Sequence, residues 1–386
     1  MPIGRFLVAF VLALVVVPAG LRAESGVDDE RILFGQSAAL EGPAAALGRG
    51  MQTGILAAFN QVNLHGGVYG RRLELVTYDD GYEPEQAIIN VNRLIDQDDV
   101  FALIGEVGTP TSSAVQPIAT QRGVPFLAPF TGAAFLRDSA LDNVVNVRAS
   151  YDQEAEAWVT YLTEDLGLTR IAILYQDDSF GRAGLDGVRQ ALAARDMTLV
   201  AEGTYMRNTT AVKRALLAIR KETPEAIVIV GAYEPAAAFI TLAREIGLDP
   251  VFVAISFVGS KALAEALGDD GAGVIVTQVV PLPDDIAIPL VADYNAALAA
   301  LDPQLEPGFV SLEGYIAGRL VIAALEAAGP DVTRQDLLTA IRDLGTFELG
   351  GLAMEFGPGD NQGMDTVFFT VLDDNGTFNA VADTDE

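Results

Sequence analysis

The sequence predicts an α/β protein made of two units, each a parallel sheet covered by helices on both faces. Three observations carry that reading. The chain has 386 residues, more than one hydrophobic core conveniently serves. Half of the residues are apolar and 20% are charged, with no long polar tract, so large cores can be buried and disorder is not expected. Short apolar runs alternate with helix-length segments almost throughout, the pattern of strand, helix, strand units.

The elements follow in order. Residues 1–23 read as a cleavable secretory signal: Arg5 gives a basic start, residues 6–17 are nearly all apolar, Pro18 to Gly20 break the run, and Ala23 suits cleavage. Strands are expected at 32–37, 73–78, 101–105, 125–128, 144–147, 171–175, 198–203, 226–230, 251–255 and 274–278. Helices are expected at 48–63, 84–97, 152–167, 181–194, 211–221, 235–246 and 260–267. The late region differs. Residues 281–289 are rich in Pro and Asp, then helices near 290–300, 309–328 and 334–344 follow without strands between them. Gly350, Gly351, Gly357 and Gly359 break the tail, and 366–372 reads as a final strand. Helices of this kind, coming late, point to a chain that returns to a unit already built.

Charge and composition exclude several functions. There are 53 acidic and 24 basic residues, and without Arg5 and Arg22 the net charge is −31, which repels nucleic acid and anionic membranes. No cysteine is present, so there is no disulfide, metal thiolate, thiol nucleophile or lipidated cysteine. The single histidine, His65, lies in the turn "LHGGVYG", and no G-x-S-x-G, Walker or H-E-x-x-H motif occurs. Gly48, Gly50 and Gly54 do not fit a dinucleotide loop, and the acids of "YDDGYEPEQA" do not alternate as a calcium loop requires. Pro84 explains the latter as a helix start with Glu83 and Glu85 at its positive end. No cofactor and no enzymatic activity are expected; an exported hydrolase with paired acids is the contrasting reading.

Ligands of open α/β sheets bind beyond the carboxyl ends of the strands. "VFALIGEVGTPTSS" places Glu106, Thr109, Pro110, Thr111, Ser112 and Ser113 at such an end. One hydroxyl would serve as an N-cap, whereas four favour a loop that binds an anion at a helix start. "FLAPFTGAAF" adds Phe130, Thr131 and Gly132 at a second strand end, and "ILFGQSAALEG" adds Ser37 and Glu41 at a third. In "YQDDSFGRAG", Asp177, Asp178 and Ser179 can cap the next helix while Phe180 turns an aromatic face to the cleft.

Together these stretches resemble the leucine/isoleucine/valine-binding family, the type I periplasmic solute-binding proteins that serve ABC transporters. Gly42-Pro43, Gly48, Asn63, Gly66-Gly67, Gly70-Arg71 and Asp79-Asp80 carry the match at the start, the two hydroxyl loops follow in order and spacing, and "LYQDDSFGRAG" and "GAYEPAAAFITLAREIG" match the second domain. The resemblance spans nearly the whole mature chain. It implies two αβα sandwich lobes with parallel sheets, joined by a three-crossover hinge near 147–151, 279–282 and 356–359. Lobe 1 is then 30–148 plus 282–357, and lobe 2 is 149–281 plus 358–386. It implies a monomer in the periplasm that closes on a small-molecule ligand and delivers it to ABC permease subunits, without nucleic acid; a sensor for a receptor kinase is the alternative job. It also implies that the ligand's carboxylate meets Thr109 and the amides of Phe130–Gly132, with Thr131 the hydroxyl, while Phe180, Tyr233, Ser256 and Phe257 close from lobe 2. Amino-acid binders of this type carry an acid where this chain has Ser256 in "VFVAISFVGSKAL". The expected solute is therefore a carboxylate without an amine, aromatic or aliphatic, unless Glu41, Glu106 or Glu234 restores the acid.

Overall fold

The computed structural model describes residues 24–381; the expected signal segment lies outside the described residues. The chain opens with β1 (Arg31–Ala38), α1 (Ala45–Asn63), β2 (Arg72–Asp79), α2 (Pro84–Asp96), β3 (Ala102–Ile104), α3 (Thr109–Gln121), β4 (Phe126–Leu127) and β5 (Val144–Val145). Then come α4 (Tyr151–Thr160), β6 (Ile171–Gln176), α5 (Ser179–Ala193), β7 (Ala201–Tyr205), α6 (Lys213–Arg220), β8 (Ala226–Val230), α7 (Tyr233–Glu245), β9 (Val251–Ala254), α8 (Ser260–Leu267) and β10 (Ile275–Gln278). The remainder is α9 (Pro289–Leu301), α10 (Phe309–Ala328), α11 (Arg334–Asp343), β11 (Thr346–Leu349), β12 (Leu352–Glu355), β13 (Phe368–Leu372) and β14 (Phe378–Ala380).

Two large sheets result, and β11 and β12 form a separate two-stranded one. The first has the order β2-β1-β3-β4-β5 and is parallel throughout. The second has the order β14-β13-β10-β9-β8-β6-β7, parallel except for β13 and β14 at one edge. The central strands β3 and β8 are buried along their whole length, as strands covered on both faces must be. In each sheet the carboxyl ends of the parallel strands share one edge, and loops from both edges meet across a single gap.

The late helices return to the first lobe. Arg334 of α11 donates to the carbonyls of Val100 and Phe101 at 2.7 and 2.8 Å. α10 packs on α1 so closely that a Cβ at Gly54 would lie 1.9 Å from the Ser311 carbonyl oxygen. The chain passes between lobes at 146–150, 279–288 and 356–367. The last two passages are longer than the stretches the family resemblance implied. Pro281 and Pro283 delay the helix until Pro289 starts α9 at a position where no N–H is missed. In the third passage, Asn361–Gly363 pairs alongside Asn146, whose N–H donates to the Asn361 carbonyl at 2.7 Å. The strand expected at 198–203 begins later, at Ala201. Gly350 and Gly351, read as breakers, are the two-residue turn of the β11–β12 hairpin, both with positive φ (+55° and +95°).

Replacing Gly54 by Ala is expected to destabilise the first lobe by about 1–3 kcal/mol, because backbone rather than a flexible side chain blocks the added methyl. Thermal unfolding checks this; an unchanged transition would show that α1 and α10 are free to separate.

Candidate functional site

The two hydroxyl loops meet. β3 and β4 are neighbours, so α3 starts beside the loop after β4, and the Oγ1 atoms of Thr109 and Thr131 lie 2.7 Å apart. Both side chains are buried. Pro110 is buried in the first turn of α3, and Gly108 precedes that helix at φ +104°, where a Cβ would strike the Tyr82 ring. The other hydroxyls of the run do less than their number suggested. Thr111 bonds back to the Val107 and Gly108 carbonyls and Ser113 to that of Pro110, the usual habit of Ser and Thr within a helix. Ser112 Oγ is buried without a partner.

Aromatic side chains from both lobes close over this point. Phe257, just after β9, packs its ring on Phe130 at 5.1 Å, Phe180 at 4.6 Å and Tyr82 at 6.0 Å. Phe180, held by the Asp178 cap of α5, also touches Tyr151 at 5.6 Å. Gly132 fits beneath Tyr151: its carbonyl accepts the Tyr151 N–H at 2.8 Å, and a Cβ there would lie 2.5 Å from the Tyr151 ring. Tyr233 reaches across to accept the Ala46 N–H at 3.4 Å. At the rim, Arg207 joins Glu83 at 2.7 Å to Asp178 at 3.1 Å, and Asn208 bonds Glu83 and the Gly81 carbonyl. The lobes are therefore pressed together along the gap.

A charged cluster that sequence reasoning missed lies in the same place. Arg148, on the first passage between lobes, is fully buried, with its guanidinium 4.9 Å over the Phe130 ring and 5.8 Å from that of Tyr151. It bonds the Ser256 hydroxyl and faces Glu154 of α4 at 3.5 Å and Glu313 of α10 at 3.7 Å. Burial works against its charge, but the Glu313, Tyr151 and Glu154 side chains outweigh this and raise its pKa. Glu154 is saturated: besides Arg148 it accepts the Ser256 N–H at 2.9 Å, the Ser256 hydroxyl at 2.8 Å and the Thr277 hydroxyl at 2.5 Å. Nε and Nη1 of Arg148, the Tyr151 hydroxyl and Oε1 of Glu313 are buried without hydrogen-bond partners. One signal for this was visible: Glu313 is a lone acid in the apolar first half of α10, "FVSLEGYIAG". Arg148 stood in the expected crossover, but nothing local showed which way it pointed.

The other acids are placed as follows. Glu41 is exposed, with its N–H on Asp79 at 3.1 Å, and Glu234 is half-buried in the first turn of α7. Glu106 is buried under β1, accepting the Ser37 N–H at 3.3 Å, and its other oxygen has no partner. Burial raises its pKa from 4.5 to about 8. Asp80 beside it is raised by burial to about 6, although Ser37 and the Tyr82 N–H bond it. Among the described residues, no group of three His, Asp or Glu side chains is placed to hold a metal ion. His65 is exposed, against the Gln61 carbonyl.

Comparison with known proteins agrees with this architecture. The family described as "Periplasmic binding protein" matches residues 32–377. A Leu/Ile/Val-binding protein, BraC3, of Rhizobium johnstonii is 27% identical over 317 residues, 81% of this chain and 83% of that one. Among solved structures, a possible leucine/isoleucine/valine-binding protein from Rhodopirellula baltica is 38% identical with a TM-score of 0.87, covering 92% of this chain and 97% of that one. A substrate-binding periplasmic protein from Ralstonia solanacearum is 29% identical with a TM-score of 0.86, covering 91% and 100%.

The burial of Glu106 has a measurable consequence. Its folded pKa lies above its ordinary 4.5, so the folded chain keeps a proton that the unfolded chain releases. That contribution is complete below about pH 4.5 and is lost as the pH rises through about 8. Glu106→Gln, which keeps an acceptor for Ser37, is expected to raise the melting temperature at pH 8 by roughly 3 °C or more and much less at pH 4.5. Equal shifts at both pH values would contradict a neutral, buried Glu106.

Proposed function

We propose a function from one premise: the chain belongs to the periplasmic binding protein family. Its relatives are solute-binding proteins, and it works as the periplasmic solute receptor of an ABC transporter, not as an enzyme. The lobes part to admit a small carboxylate and close on it, and the closed form delivers the solute to the permease. Because both lobes contact the ligand only when closed, binding draws the population to that state.

The observation that carries this reading is the meeting of Thr109 and Thr131, 2.7 Å apart and buried, at the end of β3 and β4 where the lobes converge. Two rotatable hydroxyls beside the Gly132 amide suit a carboxylate, with Phe130, Phe180 and Phe257 against its apolar body; the neighbouring Thr131 and Ala133 amides bond the Pro129 carbonyl and Thr131 Oγ1. The signal segment expected at residues 1–23 fits export to the periplasm.

The solute in this reading carries no ammonium. Relatives are named for leucine, isoleucine and valine, but a cationic amine beside Ser256 would face the Arg148 guanidinium. The nearby acid, Glu154, already has four donors. An uncompensated buried charge costs several kcal/mol, more than the roughly 1 kcal/mol a serine hydroxyl returns.

Thr109→Ala with Thr131→Ala is expected to weaken carboxylate binding at least about tenfold, since each charged hydrogen bond is worth about 1.5–3 kcal/mol. Unchanged affinity by calorimetry would place the carboxylate elsewhere. Leucine, isoleucine and valine are expected to leave the melting temperature nearly unchanged. A clear rise with any of them would show that the site accepts an ammonium.

A further inference from the structure

The orphaned polar atoms of the charged cluster say what chemistry it lacks. Three of the four are donors, Nε and Nη1 of Arg148 and the Tyr151 hydroxyl, while the fourth, Oε1 of Glu313, is an acceptor that faces Nη1. Buried donors of this kind cost free energy until an acceptor reaches them. The cluster's own acids do not supply one. Glu154 is filled by Ser256, Thr277 and the remaining nitrogen of Arg148, and Glu313 stands 3.7 Å from Nη1, beyond hydrogen-bond reach. The donors adjoin the hydroxyl pair: Arg148 lies over Phe130, the residue before Thr131, and Tyr151 is bonded to the Gly132 carbonyl, the residue after it.

We infer that Arg148 and Tyr151 form a second ligand subsite that takes an oxygen on the carbon next to the carboxylate, so that the preferred solutes are 2-oxo acids with an apolar chain. This rests on the carboxylate reading above. A carbonyl oxygen is a pure acceptor whose two lone pairs can take one N–H of Arg148 and the Tyr151 hydroxyl. An amine at that carbon brings donors and a charge of the wrong sign, and a bare methylene brings nothing. Phe130, Phe180, Phe257 and Tyr82 then pack the chain, branched or aromatic.

The test is calorimetry with matched sets on the full mature protein. One set is 4-methyl-2-oxopentanoate, 4-methylpentanoate and leucine. The other is phenylpyruvate, 3-phenylpropanoate and phenylalanine. In at least one set the 2-oxo acid is expected to bind about tenfold tighter than the plain acid, and the amino acid weakest. Arg148→Gln combined with Glu313→Gln removes one charge of each sign, so the net charge of the cluster is unchanged. It is expected to erase the 2-oxo preference, read as the ratio of 2-oxo to plain-acid affinity within each set. Equal binding of the 2-oxo and plain acids by the wild-type protein, or a preference that survives in the double variant, overturns the subsite and leaves the carboxylate reading standing. Tightest binding of an amino acid overturns the subsite and shows that an ammonium is accepted; binding of none of the six overturns the carboxylate reading as well.

Discussion

A guanidinium cannot shed its charge inside a protein, and Arg148 is completely buried. Its position is the constraint on which the cleft depends. Taking such a charge out of water costs several kcal/mol unless counter-charges and hydrogen bonds surround it. Here one acid comes from each lobe, Glu154 on α4 and Glu313 on α10, and the Ser256 hydroxyl closes from beyond β9. Neutralising one side chain therefore brings together the first passage between lobes, the first-lobe helix layer and the second-lobe sheet edge. The aromatic rings of Phe130 and Tyr151 complete the shell.

The passages around this point are built to match. Arg137 donates to the carbonyls of Ala133 and Arg148 at 3.0 Å each and to the Gln362 side chain at 2.5 Å. Asn146 bonds the Leu136 carbonyl, and its own carbonyl accepts the Gly363 N–H at 2.8 Å. The first and third passages thus run as a paired ribbon beside the loop that holds Thr131, while 279–288 crosses with proline-rich turns of its own. Far from this axis, Arg207 and Asn208 reach over to Glu83 and Gly81, so contacts made at the rim supplement those at the centre.

Much of the fold was legible because its cause is local. Parallel strands buried on both faces read as short apolar runs, and helices between them read by their length and by starts such as Pro84 and Asp178. The late run of helices pointed to a return, the family resemblance named the first lobe, and Gly54 and Gly314 explain the contact of α10 with α1 by letting the two backbones touch. The hairpin at Gly350 and Gly351 was missed because paired glycines break a run and turn a hairpin by the same freedom. At the site, strand-end position was enough to single out Thr109, Thr131, Phe130 and Phe180. It overcounted Thr111 and Ser113, whose helical geometry turns them to their own backbone. It missed Arg148 and Glu154, because a residue beside a crossover shows in sequence neither its direction nor its partner 102 residues away in Ser256.

The central claim is that the two lobes trap an anion against the Thr109–Thr131 pair. A crystal structure of the protein with an acid that it binds tests this most directly. The account predicts carboxylate oxygens within hydrogen-bond distance of Thr131 Oγ1 and of the Gly132 amide. A carboxylate seated away from both threonines, or a ligand held outside the gap between the lobes, would contradict it.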